Sequence, residues 1–222
     1  MFDRLNLHPQ SRLLELGCGS GLLWIKNKDR IPEGWEITLS DLSPGMLKET
    51  QDNLQVIHRL FRYEVVNIQA IPFEDATFDA VIANHMLYHV PDRPKAFAEI
   101  HRVLKTSGHF YAATNGRTVP SGSVGFRDWI VDPSICKGFE GFSLETGGAE
   151  VSQWFSVVTQ HRYEDSLAIT EVKPLIDYVR SGKHLSAEKI QEFEVIAERE
   201  IALHGVIHIP KASGIFIAQK LP

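Results

Sequence analysis

The stretch Leu13-Leu14-Glu15-Leu16 runs straight into Gly17-Cys18-Gly19-Ser20-Gly21, and Ile37-Thr38-Leu39-Ser40 runs into Asp41-Leu42. Each is a short apolar run of strand length that ends in a loop. Glycines at a strand-to-helix turn adopt backbone conformations closed to other residues, and they let a ligand approach with no Cβ in between. A carboxylate at the tip of the neighbouring strand offers two acceptor oxygens for the two hydroxyls of a ribose. Together they imply an α/β fold with a doubly wound, Rossmann-like sheet, and an adenosine-type cofactor lying across two adjacent strand ends. The glycine spacing narrows the choice of cofactor. The dinucleotide fingerprint is G-x-G-x-x-G/A, but here the third place after Gly19 is Leu22, and the extra glycine falls early, at Gly21. An NAD-dependent oxidoreductase is therefore the weaker alternative.

Strand-like and helix-like segments alternate from Arg12 to about Thr114, the pattern of a mostly parallel sheet covered on both faces. Strands are predicted at Arg12–Leu16, Glu36–Ser40, Tyr63–Val66, Phe78–Ala83 and His109–Thr114. Helices are predicted at Leu22–Asn27, Pro44–Leu60 and Arg93–Leu104. Asp92 is placed to cap the last of these, with Pro94 at an early helical position. Gly116–Gly141 reads as a long connection with one helical turn at Phe126–Val131. Beyond it, a helix is expected at Phe142–Phe155, a strand at Ser156–Tyr163, helices at Ile169–Ser181 and Ser186–Leu203, and a closing strand at Ser213–Lys220. The expected organisation is one domain, 1–222, with a helical cap-like insertion at about 164–212.

The G-x-G-x-G turn, with Glu15 two places before it, resembles motif I of the class I S-adenosylmethionine-dependent methyltransferases of small-molecule type. The resemblance continues in Asp41-Leu42-Ser43-Pro44-Gly45-Met46-Leu47, Val66-Asn67-Ile68-Gln69-Ala70-Ile71-Pro72-Phe73, Phe78-Asp79-Ala80-Val81-Ile82-Ala83-Asn84 and His101-Arg102-Val103-Leu104-Lys105-Thr106-Ser107-Gly108. The last of these departs from the usual Lys-Pro-Gly-Gly at Thr106 and Ser107. The family's sheet is seven-stranded with an antiparallel final strand, and Ser213–Lys220 suits that role.

The resemblance implies roles for particular residues. Gly17, Cys18, Gly19, Ser20 and Gly21 form the turn that admits the methionine part and ribose of the cofactor, with backbone N–H groups and the following helix start favouring its carboxylate. Glu15 either braces this loop or reaches the ligand ammonium through water. Asp41 takes the ribose hydroxyls, its alternative role being a cap for the helix near Pro44. Leu42 and Ile68 are expected on the two faces of the adenine, and Met46 is either cofactor wall or core. Asn67 stands where the family usually has Asp, and is either an adenine-amine acceptor or a turn asparagine. Asn84, which closes the fourth strand, is expected to bind the cofactor, and the next residue, His85, is the candidate to face the transferred methyl as a general base, a neutral structural histidine being its alternative. His85 and His89 have helical i, i+4 spacing, but no H-E-x-x-H or third-ligand motif accompanies them, so no metal is expected.

The 222 residues, 43% hydrophobic, suffice for a full core. The formal charge of -5 argues against a nucleic-acid footprint, and no N/D-P-P-Y/F segment of the amino-methylating nucleic-acid enzymes is present. A small-molecule acceptor is therefore expected, its acceptor atom (O, N, S or C) left open. No apolar run is long enough for a membrane span. Cys18 and Cys136 sit in unlike settings, so a disulfide is not expected and a cytoplasmic setting is. The oligomeric state is left as monomer or homodimer. Eleven residues precede Arg12, fewer than the helical segment relatives carry there; a more open pocket or a short gene start is the expectation. A non-catalytic, cofactor-binding scaffold is the further alternative. Within the insertion, Tyr178, Arg180 and His184 are candidate acceptor contacts, the other possibility being that the helices only cover apolar surface or make a dimer contact.

Overall fold

The computed structural model describes residues 1–116, 141–181 and 185–221. Among the described residues seven strands, β1 Arg12–Leu16, β2 Glu36–Asp41, β3 Arg62–Val65, β4 Phe78–Asn84, β5 Leu104–Asn115, β6 Val157–Ile169 and β7 Ile207–Gln219, form one sheet in the order β3-β2-β1-β4-β5-β7-β6. The pairings from β3 through β5 are parallel, with Leu14 beside Thr38 on one side and Val81 on the other. β7 runs against β5: Ser107 N–H donates to Lys220 O and Gly116 N–H to Ala212 O, so the partners descend in number as β5 ascends. The order reverses between β1 and β4, the switch point at whose carboxyl ends this architecture opens a crevice.

Burial explains the apolar runs. Strands covered on both faces alternate toward two layers. Leu14, Leu16, Val81, Ala83, Phe110 and Ala112 join one core cluster with Phe97, Ile100 and Val103. The last three belong to α3 (Arg93–Val103), which Asp92 caps by accepting the Lys95 N–H at 3.0 Å, as expected. Leu13, Ile37, Leu39, Ala80, Ile82 and Tyr111 are buried on the opposite face.

The first two α-helices are shorter than their sequence predicts. α1 spans only Leu22–Ile25. α2 spans Pro44–Leu54, not to Leu60. Beyond Leu54, Arg59 donates to the carbonyls of Pro32, Glu33 and Trp35, tying the chain to the start of β2, and Leu60, the expected end of the helix, is 94% exposed. In the 142–155 segment only α4 (Gly147–Val151) is helical, since Phe142 and Ser143 turn through Thr114 and Thr146 hydrogen bonds. The expected turn at Phe126–Val131 lies outside the described residues.

The chain divides into two compact units, one of residues 1–114, 141–161 and 214–222, the other of 115–140 and 162–213. In the second unit β6 and β7 run past their expected ends, and α5 (Val172–Ser181) and α6 (Ala187–His204) have their own core of Leu175, Ile176, Phe193, Ala197 and Ile207. Ser186 caps α6, and Gly205 ends it in the left-handed conformation.

Candidate active site

The loop after β1 needs all three glycines. Gly17, Gly19 and Gly21 have φ of 68°, 57° and 76°, the left-handed region. A Cβ on Gly17 would stand 2.9 Å from the Met86 side chain, and one on Gly21 would stand 3.0 Å from the Thr50 methyl. On Gly19 it would meet nothing within 4 Å among the described residues. Gly17 and Gly21 are thus spent on protein packing, while Gly19 faces open space at the strand ends.

Asp41 closes β2 beside this loop. Its Oδ2 accepts the Gly19 N–H at 3.1 Å and its Oδ1 the Ser43 N–H at 2.9 Å. The helix cap is Ser43, whose Oγ accepts the Met46 N–H, so Asp41 does not cap α2. Each carboxylate oxygen has a second lone-pair direction left to offer. Leu42 is 68% exposed next to it, and Met46 is half-buried. The Val66 N–H donates to Asp41 O at 3.1 Å, which fixes the following segment against the end of β2. There Asn67 is an exposed turn residue: its Oδ1 accepts the Gln69 N–H and its backbone carbonyl the Ala70 N–H. Ile68 is buried in the core with Leu16 and Ile71.

Glu15 is only 2% exposed, and its Oε2 accepts the Trp24 indole N–H at 2.6 Å. Desolvation pushes its pKa up to about 8. Its visible task is to brace the loop from behind, with Ser40 Oγ donating to its backbone carbonyl. Burial likewise pushes the Cys18 thiol up to about 12, so Cys18 stays protonated. With α1 only four residues long, the helix dipole expected at the loop is small; individual N–H groups are what the loop offers.

Asn84 is the half-buried last residue of β4. His85 follows with φ 56°, its N–H donating to Ala113 O. The left-handed turn swings the chain off the sheet into a single 3-10 turn, Leu87–His89. His85 and His89 therefore do not share a helix face, which removes the geometric basis of the i, i+4 pair. The His85 ring reaches solvent, while partial desolvation holds its pKa below the ordinary value, leaving it neutral and able to accept a proton near pH 7. Sequence reasoning missed Trp24, Thr50, Asn53 and Met86, which pack around the loop from other elements. Only Ser43 carried a local signal, a serine directly before proline at a helix start.

The methyltransferase domain model matches residues 14–112. That span belongs to the class I S-adenosylmethionine-dependent methyltransferase family. A ubiquinone/menaquinone biosynthesis C-methyltransferase of Xanthomonas oryzae is 34% identical over 102 residues, 45% of this chain and 40% of the relative. A malonyl-[acyl-carrier protein] O-methyltransferase of Geobacter sulfurreducens is 35% identical over 107 residues, 48% of this chain and 39% of the relative. The match thus spans about two fifths of the length of these curated relatives. Among solved structures, a phosphoethanolamine N-methyltransferase of Haemonchus contortus superposes with a TM-score of 0.61 at 18% identity. It covers 100% of this chain and 51% of its own, and was solved with phosphomonomethylethanolamine and S-adenosylhomocysteine. At that identity the likeness is one of fold. The mostly parallel seven-stranded sheet with one antiparallel strand is the family's.

Proposed function

We propose that the protein transfers the methyl group of S-adenosylmethionine to a small-molecule acceptor. The observation that supports this best is Gly19: left-handed, with its N–H held by Asp41 and its Cβ direction open at the carboxyl ends of β1 and β2. That is the close backbone approach a bulky cofactor needs, and the open ribose-acceptor directions of Asp41 lie beside it.

Bound S-adenosylmethionine supplies a sulfonium methyl already reactive toward nucleophiles. The work left to this chain is binding, alignment and proton handling, and alignment alone supplies much of the acceleration. Gly17 to Gly21 and Asp41 would hold the methionine part and ribose, Leu42 the adenine, and Asn67 its amine once its side chain leaves the Gln69 N–H. Neutral His85, at the end of β4, would take the proton of a hydroxyl or amine acceptor; a carbanion or thiolate acceptor would need no base. No helix among the described residues is long and apolar enough to cross a membrane. With a free, buried Cys18, the proposed setting is the reducing cytoplasm, with a metabolite rather than nucleic acid as acceptor.

Titration calorimetry with S-adenosylhomocysteine and with NADH tests the cofactor: binding of the first alone is expected. Release of labelled methyl across a metabolite library tests catalysis. Homocysteine-form binding with no transfer to any compound would return the protein to a binding scaffold.

A further inference from the structure

Thr50 lies on α2, remote in sequence from the glycine loop, and is completely buried. Its Oγ1 donates to Gly19 O. The same Oγ1 lies 3.6 Å from Cys18 Sγ. The Thr50 methyl packs where a Cβ on Gly21 would stand. One side chain therefore engages Cys18, Gly19 and Gly21. One turn further along α2, Asn53 Nδ2 donates to Ser20 O at 3.1 Å.

The consequence follows from peptide geometry. No peptide bond here is cis, so each C=O points opposite to the N–H of the same peptide plane. With Gly19 C=O turned to α2 by Thr50, the Ser20 N–H is turned away from α2. Among the described residues no acceptor takes it. Meanwhile Asp41 holds the Gly19 N–H at the ribose acid. The α2 side chains consume the loop's carbonyls and leave a donor on the side away from the helix.

We propose that Thr50, assisted by Asn53, is a positioning residue. It orients the Gly19–Ser20 peptide so that the Ser20 N–H meets the carboxylate of the cofactor's methionine part. This rests on the S-adenosylmethionine reading above. It adds that recognition of the amino-acid tail depends on α2, whereas recognition of the nucleoside does not.

The test compares S-adenosylhomocysteine with 5′-methylthioadenosine, which lacks the amino-acid carboxylate and ammonium, by calorimetry on the full chain. Thr50→Val keeps the shape and removes the donor. It is expected to raise the Kd for S-adenosylhomocysteine about tenfold and to leave that for methylthioadenosine within about twofold, while Thr50→Ser restores wild-type affinity for both. Asn53→Ala, at an exposed position, is expected to weaken S-adenosylhomocysteine binding about threefold with the melting temperature unchanged; it serves as the test if Thr50→Val fails to fold. Equal weakening for both ligands, unchanged affinity for both, or failure of serine to rescue would each overturn the proposal. A wild-type protein that binds neither ligand would instead refute the cofactor reading on which it rests.

Discussion

At Asp41 one carboxylate oxygen accepts the Gly19 N–H and the other the Ser43 N–H, so a single side chain links the glycine loop, the end of β2 and the start of α2. Asp41→Ala is expected to weaken S-adenosylhomocysteine binding by about 1.5–3 kcal/mol, the range for hydrogen bonds to a charged group; calorimetry on the folded variant checks it. Gly19→Val places side-chain atoms in the open space beside the loop and forces a β-branched residue to a φ of 57°; complete loss of binding is expected in the same assay. Glu15 predicts a pH effect. Its folded pKa, about 8, lies above the ordinary carboxyl value of 4.5 because burial disfavours the charge. Its contribution to stability is therefore fully present below about pH 4.5 and is lost as pH rises through about 8. Glu15→Gln keeps an acceptor for Trp24 and removes the ionisation. The variant should melt near wild type at pH 5 and several degrees above it at pH 9, in thermal scans at both values, a few degrees corresponding to roughly 1 kcal/mol in a chain of this size.

Among the elements, the irregular start of β5, where its register against β4 shifts, carries a visible strain. Ser107 has φ 66°, a conformation that costs an L-residue roughly 1–2 kcal/mol and glycine little. Its side chain is exposed, and its backbone N–H holds Lys220 O. Ser107→Gly is thus expected to stabilise the fold by about 0.5–1 kcal/mol net of the glycine's extra chain entropy, measured by denaturant unfolding. Strands buried in the sheet are legible where their periodicity is imposed by the core, Arg12–Leu16 to the residue and β2 and β4 within one, whereas β5 begins at Leu104, five residues before its expected start at His109. The ends of α2 and of the 142–155 segment are not legible, because they are set by distant partners, Arg59 on the carbonyls before β2 and Thr114 on Phe142 O. The site divides the same way. Gly17 to Gly21 and Asp41 announce themselves by residue type and spacing. The donors that orient the loop, Thr50, Asn53 and Trp24, reach it only through tertiary contacts and leave no local pattern.

Across the whole chain, the residues assigned to the cofactor, from Glu15 to His85, fall within the first unit and within the 14–112 span matched by the methyltransferase domain. Two relatives that share that span at 34% and 35% identity are named for transfer to carbon in one case and to oxygen in the other. The shared span therefore does not fix the acceptor, and choice of acceptor is proposed to reside in residues outside it. The second unit is the natural carrier: its α5–α6 pair has a core of its own, joins β6 to β7 and breaks the strand–helix alternation. Shortening the 170–206 stretch to a two-residue Asn-Gly hairpin between β6 and β7 is expected to leave the Kd for S-adenosylhomocysteine within about twofold, since no assigned cofactor contact is removed. Methyl transfer to the wild-type acceptor, followed as labelled product, is expected to vanish. Retained transfer with the wild-type acceptor profile would instead put acceptor choice in the first unit.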